Sequence, residues 1–265
     1  MGQGDVTRTS SFRSRLLARE PLIGAWVKTP SPIVADVLGL TGLDCVCIDA
    51  EHAPFDRLSI DACLSSLRAS DMPALVRPPS SAPEHILNAL DCGAVGIVAP
   101  HIRSREEAEG LSAACRYGAG GRGFAGSSRA AGYTTRPMSE HLKRSNAETA
   151  VIAQIEDLEA LRDIDAIAGV EGVDCLFVGR IDLTVALGAA SPTDDVVIDA
   201  VQLICTAGIS HQRPVGMFVG DLNEIPRWRK AGASLFILKS DHAFILEGAR
   251  ALRTDFERLA ASGAE

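Results

Sequence analysis

Eight short apolar runs, separated by segments of helical character, recur along the chain. Each run is five to seven residues long and rich in β-branched or aromatic residues, a pattern typical of strands buried on both faces of a parallel sheet. The predicted strands span residues 22–27, 45–49, 73–77, 94–100, 150–156, 174–179, 213–219 and 233–238. The chain is therefore expected to build a largely buried parallel sheet.

Helical segments lie between these runs. The predicted helices span residues 31–41, 57–69, 83–91, 104–115, 158–168, 194–208, 221–231 and 241–260. Ser104 and Glu107 have the spacing of a capping box, and Gly93 and Gly232 stand where a helix would stop before the next strand. Because strand and helix alternate eight times, the sequence predicts a single α/β domain folded as a (β/α)8 TIM barrel. An open doubly wound sheet is the alternative, but no glycine-rich dinucleotide fingerprint follows any run.

The N-terminus and one loop depart from this alternation. Residues 1–11 are polar and are expected to form a disordered tail, which leaves residues 12–265 as the barrel domain. Residues 116–137 form a long connection with six glycines and four arginines, followed by an extra predicted helix at about 138–148. A structureless loop of that length in a compact domain is usually functional or disordered.

Charge and cysteine content restrict the class of partner and the compartment. The formal net charge of −8 repels phosphate, which disfavours nucleic acid and anionic membranes as partners. No stretch reaches the roughly 18 apolar residues that a membrane span needs, and the N-terminal residues lack the apolar core of a secretory signal. The seven cysteines are an odd number without paired spacing. The sequence therefore predicts free thiols and a cytoplasmic protein, with small anionic substrates left open.

Polar side chains follow the ends of most predicted strands. In a TIM barrel the active site lies at the carboxyl ends of the strands, so these side chains are the candidates for chemistry. They are Asp49, Glu51 and His52 at or just after the end of the second strand, Arg77 at the end of the third, His101 after the fourth, Gln154 and Glu156 at the end of the fifth, Asp182 after the sixth and Lys239 after the eighth. Their origin in several different strands favours one shared site.

Glu156 is a candidate metal ligand. It lies two residues after Gln154, so the two side chains share one face of the strand, and in the barrel mouth Glu156 can meet Asp182 from the next strand. Two adjacent carboxylates repel each other unless a proton or a cation lies between them. Oxygen ligands without a cysteine or histidine cluster favour a hard ion such as Mg²⁺ or Mn²⁺. The alternative for Glu156 is a charge that stabilises the start of the following helix.

Arg77 and His52 are candidates for substrate binding and proton transfer. The guanidinium of Arg77 suits bidentate binding of a substrate carboxylate, although a salt bridge is the simpler role. His52 becomes a reasonable general base if Asp49 fixes its tautomer and a divalent ion lies nearby, whereas an isolated histidine is more often structural. A Schiff base on Lys28 or Lys239 is another route, but neither lysine has a sequence context that supports it.

Five stretches of the chain resemble the HpcH/HpaI aldolase family, the class II metal-dependent pyruvate aldolases of the phosphoenolpyruvate/pyruvate superfamily. They are IDAEHAPFD, LVRPP, RYGAGGRGFAGSSRA, QIED and VGRIDLTVALG. The resemblance runs from about residue 12 to residue 240, which is most of the chain. The D-x-E-H and Q-x-E motifs, in this order and at these separations, are fairly specific as a set.

This resemblance implies an enzyme with a TIM barrel fold and a defined reaction. The enzyme would be a carbon–carbon lyase that reversibly cleaves a 4-hydroxy-2-keto acid to an aldehyde and pyruvate, or a close analogue such as hydroxypyruvate. The resemblance further implies that Glu156 and Asp182 bind a divalent ion (Mg²⁺, Mn²⁺ or Co²⁺). The ion and Arg77 would then stabilise the charge of an enolate.

The resemblance also assigns the remaining site residues and an assembly. Gln154 would lie beside the substrate, the backbone near Ile181 and Asp182 would bind the substrate carboxylate, and His52, oriented by Asp49, would act as the base. Members of the family usually form a hexamer, a trimer of dimers that exchange their C-terminal helices. A homo-oligomer is therefore expected here.

Three segments depart from the family pattern and indicate a divergent member. The usual Gly-Pro-x-Asp-Leu motif reads Gly179-Arg180-Ile181-Asp182-Leu183, which puts an arginine near a predicted metal ligand. The segment LKSDHAF after the eighth strand and the glycine-rich GAGGRG also differ. Two alternative functions stay open, namely a citrate-lyase-like CoA-ester lyase and a non-catalytic barrel that binds a keto acid.

Overall fold

Eight parallel strands form a closed barrel and follow one another around it in chain order. The structure, a computed structural model, describes residues 7–262. The strands are β1 (Leu22–Val27), β2 (Cys45–Asp49), β3 (Ala74–Arg77), β4 (Gly96–Ala99), β5 (Ala150–Ile155), β6 (Cys175–Val178), β7 (Val215–Phe218) and β8 (Ala233–Ser240). Seven strands fall within the apolar runs predicted for them, and β8 extends its run by two residues to Ser240, so the predicted TIM barrel is confirmed.

Helices surround the barrel. They are α1 (Arg8–Leu17), α2 (Pro32–Gly39), α3 (Arg57–Ala69), α4 (Pro83–Asp91), α5 (Arg105–Cys115), α6 (Met138–Glu148), α7 (Leu158–Arg162), α8 (Ile164–Ala168), α9 (Arg180–Ala186), α10 (Asp195–Ser210), α11 (Ile225–Lys230) and α12 (Asp241–Ser262), with a 3₁₀ turn at Leu222–Glu224. None of the helices between residues 7 and 262 combines the length and the apolar character that a membrane crossing requires.

The register of the strands brings their carboxyl ends to one mouth of the barrel. Asp49, the last residue of β2, pairs with Arg77, the last residue of β3. Ile155 at the end of β5 likewise pairs with Val178 at the end of β6. The polar residues that end or follow these strands therefore surround a single opening, which is where TIM barrels carry their active sites.

Apolar side chains fill the barrel interior and the layer between strands and helices. Trp26, Leu75 and Phe177 belong to the interior cluster, whereas Val76 and Trp228 belong to the outer one. The division follows from strand geometry, because neighbouring side chains such as those of Leu75 and Val76 point to opposite faces. All seven cysteines are free and buried, as the sequence predicted.

Helix α1 packs against the barrel in a region that overlaps the predicted disordered tail of residues 1–11. Phe12 and Leu16, one helical turn apart, are fully buried and join the interior cluster. Arg13 on the same helix pairs with Asp174, which precedes β6, at 2.7 Å. Residues 8–11 are already helical, which differs from the prediction. Residues 1–6 of the predicted tail lie outside the described part of the chain.

Three helical segments differ from their predicted form. The segment 158–168 is two helices, α7 and α8, because the backbone of Asp163 leaves the helical conformation. Helix α9 was not predicted and begins directly after Gly179. The segment 221–231 starts as a 3₁₀ turn before α11. Helix α9 matters most here, because its first turn carries Asp182.

The glycine-rich loop 116–137 is anchored to the barrel by its arginines. Arg122 forms an ion pair with Asp91 at the end of α4. Arg129 forms another with Asp61 of α3, at 2.6 Å between Nη2 and Oδ2. The loop is therefore an ordered connection that leads into the predicted extra helix, α6.

Helix α12 is long and almost wholly exposed. Its exposed apolar side chains include Ile245, Leu246, Leu252, Phe256 and Leu259, each of which is more than half accessible to solvent. A helix that exposes this many apolar side chains is typically covered by another structural element.

Gly96 is expected to tolerate no side chain. A Cβ at this position would lie 2.5 Å from the carbonyl oxygen of Ala150 on β5 and 2.9 Å from a methyl group of Leu75. The Gly96→Ala variant should therefore be less stable by about 1–3 kcal/mol, the usual cost of overpacking. The free energy of unfolding, measured by urea denaturation, tests this expectation.

Gly110→Ala is the matched control for that variant. Nothing lies within 4 Å of a Cβ built on Gly110 in helix α5, and alanine favours the helix over glycine by roughly 0.5–1 kcal/mol. The control should therefore be slightly stabilised. Equal unfolding free energies for the two variants would contradict the packing described for β4 and β5.

Candidate active site at the mouth of the barrel

A buried carboxylate, Asp49, lies at the centre of the mouth. Its Oδ1 atom accepts a hydrogen bond from Nε of Arg77 at 3.0 Å and lies 2.9 Å from Nη2 of the same side chain. The ammonium nitrogen of Lys28, which follows β1, lies 3.1 Å from Oδ2. Burial alone would raise the pKa of Asp49, but Arg77 and Lys28 outweigh it, so this pKa lies below its ordinary value. Asp49 is thus a charged anchor for Arg77.

Arg77 is held from several sides. Its guanidinium lies over the ring of Trp26, 4.4 Å from the ring centroid, and its Nε lies 3.2 Å from Oε2 of Glu51. Burial would lower the pKa of Arg77, but the carboxylates of Asp49 and Glu51 raise it. The side chain therefore presents a fixed positive charge at the mouth of the barrel, with a planar arrangement of donors suited to oxygen ligands.

His52 is placed differently from the predicted pair with Asp49. Only its backbone N–H reaches Asp49, donating to Oδ1 at 3.2 Å. The imidazole ring is 56% exposed, and its Nε2 lies 3.7 Å from Oε2 of Glu51. The physical reason is competition, because Arg77 and Lys28 already occupy the carboxylate of Asp49. The neighbour of the His52 ring is therefore Glu51.

Glu51, His101 and Glu156 form a compact cluster beside Arg77. One ligand atom from each of the three residues lies within 4.8 Å of the other two. The backbone N–H of His101 donates to Oε1 of Glu156 at 2.9 Å, and its Nε2 lies 3.6 Å from Oε1 of Glu51. Burial raises the pKa of Glu51 and that of Glu156, where the charge of Asp182 adds to the effect. Both carboxyl groups therefore ionise less readily than in water unless a cation lies beside them.

Gln154 and Gly179 shape the space around Glu156. The amide nitrogen of Gln154 donates to Oε2 of Glu156, as expected for two side chains on one face of β5. A Cβ on Gly179 would lie 2.5 Å from that same oxygen, so only glycine leaves the carboxylate in place. The other amide atom, Oε1 of Gln154, is buried without a hydrogen-bond partner among residues 7–262.

Asp182 and Ile181 lie on the first turn of α9, at the edge of the same cleft. Both residues are exposed, and Asp182 is close enough for its charge to raise the pKa of Glu156. Asp182 is nevertheless outside the Glu51–His101–Glu156 cluster. Asp182 thus lines the cleft and acts on Glu156 through its charge, and two further donors, Glu51 and His101, lie beside Glu156.

Arg180, which stands where the family usually has proline, turns its charge away from this cluster. Its Nε and Nη2 donate to the carbonyl oxygen of Pro192, at 3.0 and 2.8 Å, and its Nη1 pairs with Glu224. The guanidinium also lies over the ring of Trp228, 5.5 Å from its centroid. Its positive charge is therefore neutralised within the protein.

A cleft of about 530 Å³ lies at the mouth of the barrel, and its lining includes the predicted residues His52, Arg77, Gln154, Ile181 and Asp182. A second cavity, of about 380 Å³, is lined by none of the predicted site residues. The larger cleft is lined by Trp26, Lys28, His52, Arg77, Gln154, Phe177, Gly179, Arg180, Ile181, Asp182, Phe218 and Lys239, among others. The smaller cavity lies among α3, α4 and α6. Substrate binding is therefore expected at the mouth.

Sequence reasoning gave roles to Asp49, Arg77 and Glu156 and none to two further donors of this site. The structure pairs Asp49 with Arg77 and groups Glu156 with Glu51 and His101, which the sequence analysis had noted at strand ends without a role. The signal that could have identified Glu51 and His101 is their position in the sequence. Each follows the carboxyl end of a strand, where the assigned residues also lie.

The residues present fit a divalent cation. Glu156 is buried yet forms no ion pair with a lysine or arginine anywhere in residues 7–262, where its one ion-pair partner is His101. Buried carboxylates without such a partner are costly unless they are protonated or bind a cation. Carboxylate oxygens and an imidazole nitrogen, within 4.8 Å of one another, are suitable ligands for one ion.

Replacing Arg180 should change stability rather than metal binding. Arg180→Ala removes the guanidinium from the carbonyl of Pro192 and from Glu224, which keeps only the longer bond from Nε1 of Trp228 at 3.4 Å, so the free energy of unfolding should fall by about 1.5–3 kcal/mol. The dissociation constant for Mn²⁺, measured by calorimetry, should stay within about threefold, since the guanidinium is already paired.

Arg227→Ala is the control for this variant. Arg227 also lies over Trp228, 4.8 Å from the centroid, but it is exposed and its loss should cost at most about 1 kcal/mol. A tenfold change in Mn²⁺ affinity in Arg180→Ala would mean that the guanidinium acts on the ion after all.

Comparison with known proteins agrees with the geometry. The chain is 33% identical, over 251 residues, to the 5-keto-4-deoxy-D-glucarate aldolase of Shigella boydii, covering 94% of this chain and 97% of that protein. It is 33% identical to the hydroxypyruvate/pyruvate aldolase of Paraburkholderia phytofirmans, with 92% and 96% covered. Among solved structures, a HpcH/HpaI aldolase/citrate lyase family protein from Burkholderia cenocepacia superposes with a TM-score of 0.88 at 33% identity, covering 94% of this chain and all of that one.

The sequence profile of one family accounts for most of the barrel. It matches residues 22–245, from the start of β1 into α12, and this span contains every residue of the cleft described above. The chain therefore belongs to the HpcH/HpaI aldolase/citrate lyase family.

Proposed function

We propose that this class II aldolase reversibly cleaves a 4-hydroxy-2-keto acid to an aldehyde and pyruvate, or a close analogue such as hydroxypyruvate, with a divalent ion bound. The observation that carries the proposal is the fixed charge of Arg77 beside the carboxylates of Glu51 and Glu156. Cleavage of the carbon–carbon bond leaves an enolate. The guanidinium of Arg77, together with a divalent ion bound by the carboxylates, would stabilise the charge of that anion.

Glu156 and Asp182 are the proposed protein ligands of the ion, which would be Mg²⁺, Mn²⁺ or Co²⁺. When bound, the ion supplies positive charge against the enolate oxygen and the keto-acid carboxylate. Glu156 is suited to this role because Gln154 and the backbone of His101 hold its carboxylate in place. Gln154, which lines the cleft, is the proposed neighbour of the bound keto acid.

Arg77 is the proposed ligand of the keto oxygen. Its ion pair with Asp49 and its stacking on Trp26 fix the guanidinium before the substrate arrives. Little conformational entropy then remains to be lost on binding. The backbone N–H groups at Ile181 and Asp182 are the proposed donors to the substrate carboxylate, because they belong to the first turn of α9, where N–H groups have no partner within the helix.

His52 is the proposed base that removes the proton from the 4-hydroxyl group. Its ring lines the cleft and is more than half exposed, so it can reach a substrate and exchange its proton with solvent. Asp49 supports this role through the backbone N–H of His52, which fixes the position of the residue rather than the tautomer of its ring.

The aldehyde half of the substrate is expected to lie towards the aromatic and basic walls of the cleft. Trp26, Phe177 and Phe218 supply apolar surface, and the ammonium groups of Lys28 and Lys239, which pair with Asp49 and Glu247, supply N–H donors. These walls suit an aldehyde that carries a carboxylate. That inference agrees with the substrate named for the Shigella boydii relative, a keto acid derived from glucarate.

A cytoplasmic homo-oligomer, a hexamer built as a trimer of dimers, is the proposed form of the enzyme. The exposed apolar side chains of α12 support an exchange of this helix between subunits. Helix α2 also exposes apolar side chains, Ile33 and Val37, which could receive it. The seven free, buried cysteines are consistent with a reducing compartment.

Removing either proposed ligand should remove both metal binding and turnover. Glu156→Gln and Asp182→Asn keep the side-chain size but lose the negative charge, so Mn²⁺ affinity should fall by about 100-fold or more. Calorimetric titration with Mn²⁺ measures this directly, and cleavage assays with pyruvate, Mn²⁺ and a panel of aldehydes measure turnover.

Glu159→Gln is the matched control for the ligand variants. Glu159 lies three residues after Glu156 and is exposed. Its replacement should therefore change neither Mn²⁺ affinity nor turnover. Chelator-insensitive cleavage by Glu156→Gln or Asp182→Asn would contradict the proposed ligands. Cleavage of a CoA thioester in place of a 4-hydroxy-2-keto acid would instead identify a CoA-ester lyase.

His52→Asn should separate catalysis from metal binding. General bases contribute about 10²–10⁴-fold to rates, so cleavage of the 4-hydroxy-2-keto acid should slow by that factor while Mn²⁺ affinity stays unchanged. His211→Asn, on the distant C-terminal end of α10, is the control and should behave as the wild type. Cleavage by His52→Asn at the wild-type rate would mean that another group is the base.

A further inference from the structure

We propose that the second cavity binds a small organic anion through its carboxylate or phosphate group, with Arg122, Arg136 and Arg68 as the ligands of that group. The cavity has a volume of about 380 Å³, within the roughly 300–1,000 Å³ of small-molecule sites. Its lining includes Ala74, the first residue of β3, and Thr149, which precedes β5. The cavity therefore lies at the amino ends of the strands, at the opposite end of the barrel from the mouth.

Arg122 is a buried cation with an unused hydrogen-bond donor. Its side chain is 1% exposed, and its Nη2 pairs with Asp91 of α4. The guanidinium also lies over the ring of Tyr117, 4.8 Å from the ring centroid. Its Nε is nevertheless buried without a hydrogen-bond partner among residues 7–262. Because a buried donor without an acceptor is costly, this guanidinium is suited to an oxygen of a bound anion.

Arg136 and Arg68 line the cavity without a close carboxylate partner. Nε of Arg136 lies 3.6 Å from Oε1 of Glu140, and its Nη1 lies 3.4 Å from the carbonyl oxygen of Ala130. Charge-assisted bonds are shorter, usually about 2.7–2.9 Å. Arg68, in the last turn of α3, forms no ion pair within the described part of the chain. Both guanidinium groups therefore retain donors for an oxygen ligand.

Positive charge prevails in the lining of the cavity. Four arginines line it, against two carboxylates, those of Asp71 and Glu148. Glu148 pairs with the fourth arginine, Arg144, at 2.8 Å. Asp71 accepts hydrogen bonds from the backbone N–H groups of the first two residues of α1, at 2.6 and 3.1 Å. Both carboxylates thus have partners, whereas Arg68 and Arg136 lack close ones.

His141 is a second indication of this positive charge. Its ring is buried in the lining of the cavity, with Nε2 3.1 Å from the hydroxyl oxygen of Tyr117. Burial lowers the pKa of His141, and the charges of Arg122 and Arg136 lower it further, against the opposing charge of Asp91. The same charges favour an anion in the cavity over a cation.

The glycine-rich loop 116–137 gains a role from this site. Two of its four arginines line the cavity, whereas the other two, Arg116 and Arg129, pair with carboxylates at 3.1 and 2.6 Å. Long loops in compact domains are usually functional or disordered, and this loop is ordered. Its arginines thus serve both to anchor the loop and to present donors to the cavity.

The remaining walls suit an anion with a short carbon skeleton. Leu64, Met72 and Leu90 line the cavity and are buried, so they offer apolar contact to a few carbon atoms. A small organic acid and a small phosphate ester share this chemistry. Succinate and glycerol 3-phosphate are suitable probes, because they differ mainly in the head group.

Calorimetric titration of the full-length protein with each probe tests the site. We expect one anion bound per chain at millimolar concentration or below, and the probe that binds more tightly identifies the head group. Arg136→Gln and Arg68→Gln should each weaken this binding by about tenfold or more, since each loses a charge-assisted bond. Arg122→Lys keeps a charge beside Asp91 but removes Nε, and it should weaken binding by a similar factor.

Arg57→Gln is the matched control. Arg57 lies at the other end of the same helix as Arg68, is exposed and does not line the cavity, so this variant should bind each probe as the wild type does. If neither probe binds to the wild type, or if Arg68→Gln and Arg136→Gln bind with wild-type affinity, the assignment is overturned. None of these variants alters the mouth of the barrel, so failure of the proposed function would leave this test unaffected.

Discussion

The ion pair between Asp49 and Arg77 is the interaction on which the mouth of the barrel depends. Parallel pairing of β2 and β3 places the two residues opposite each other at the strand ends, where both are buried. Losing one partner of a buried pair leaves an uncompensated charge, at a cost of about 3–5 kcal/mol. The pair therefore fixes a guanidinium in the cleft, and it also explains why Asp49 is not available to the ring of His52.

Glu156 is a second buried carboxylate at the mouth, but it lacks a lysine or arginine partner among residues 7–262. Asp49 is satisfied by Arg77 and Lys28, whereas the groups that reach Glu156 are an amide, a backbone N–H and the ring of His101. The barrel thus contains one carboxylate neutralised by its own chain and another that pairs with no lysine or arginine in the described part of the chain. This difference is the reason why Arg77 is a fixed cation at the mouth and why Glu156 is proposed as a metal ligand.

The sequence predicted the parts of the fold that depend on continuous apolar runs, because burial on both faces of a strand leaves a clear pattern. It did not predict α1, since only Phe12 and Leu16 distinguish this helix from a polar tail. Sequence spacing also suggested that Asp49 would orient His52. The partner of a buried carboxylate depends on which side chains the fold brings close to it. For Asp49 that side chain is Arg77, which comes from a different strand. The contacts of His101 were hidden for the same reason, because they join it to Glu156 and Asp157, which follow β5.

Exchange of the methyl protons of pyruvate with deuterium in D2O tests the central claim most directly, because it reports enolate formation without any need to know the aldehyde. Nuclear magnetic resonance should show exchange in the presence of Mn²⁺ or Mg²⁺, loss of exchange on addition of a chelator, and recovery when the ion is restored. A folded protein that catalyses no exchange with any divalent ion, or exchange that a chelator does not affect, would contradict the account.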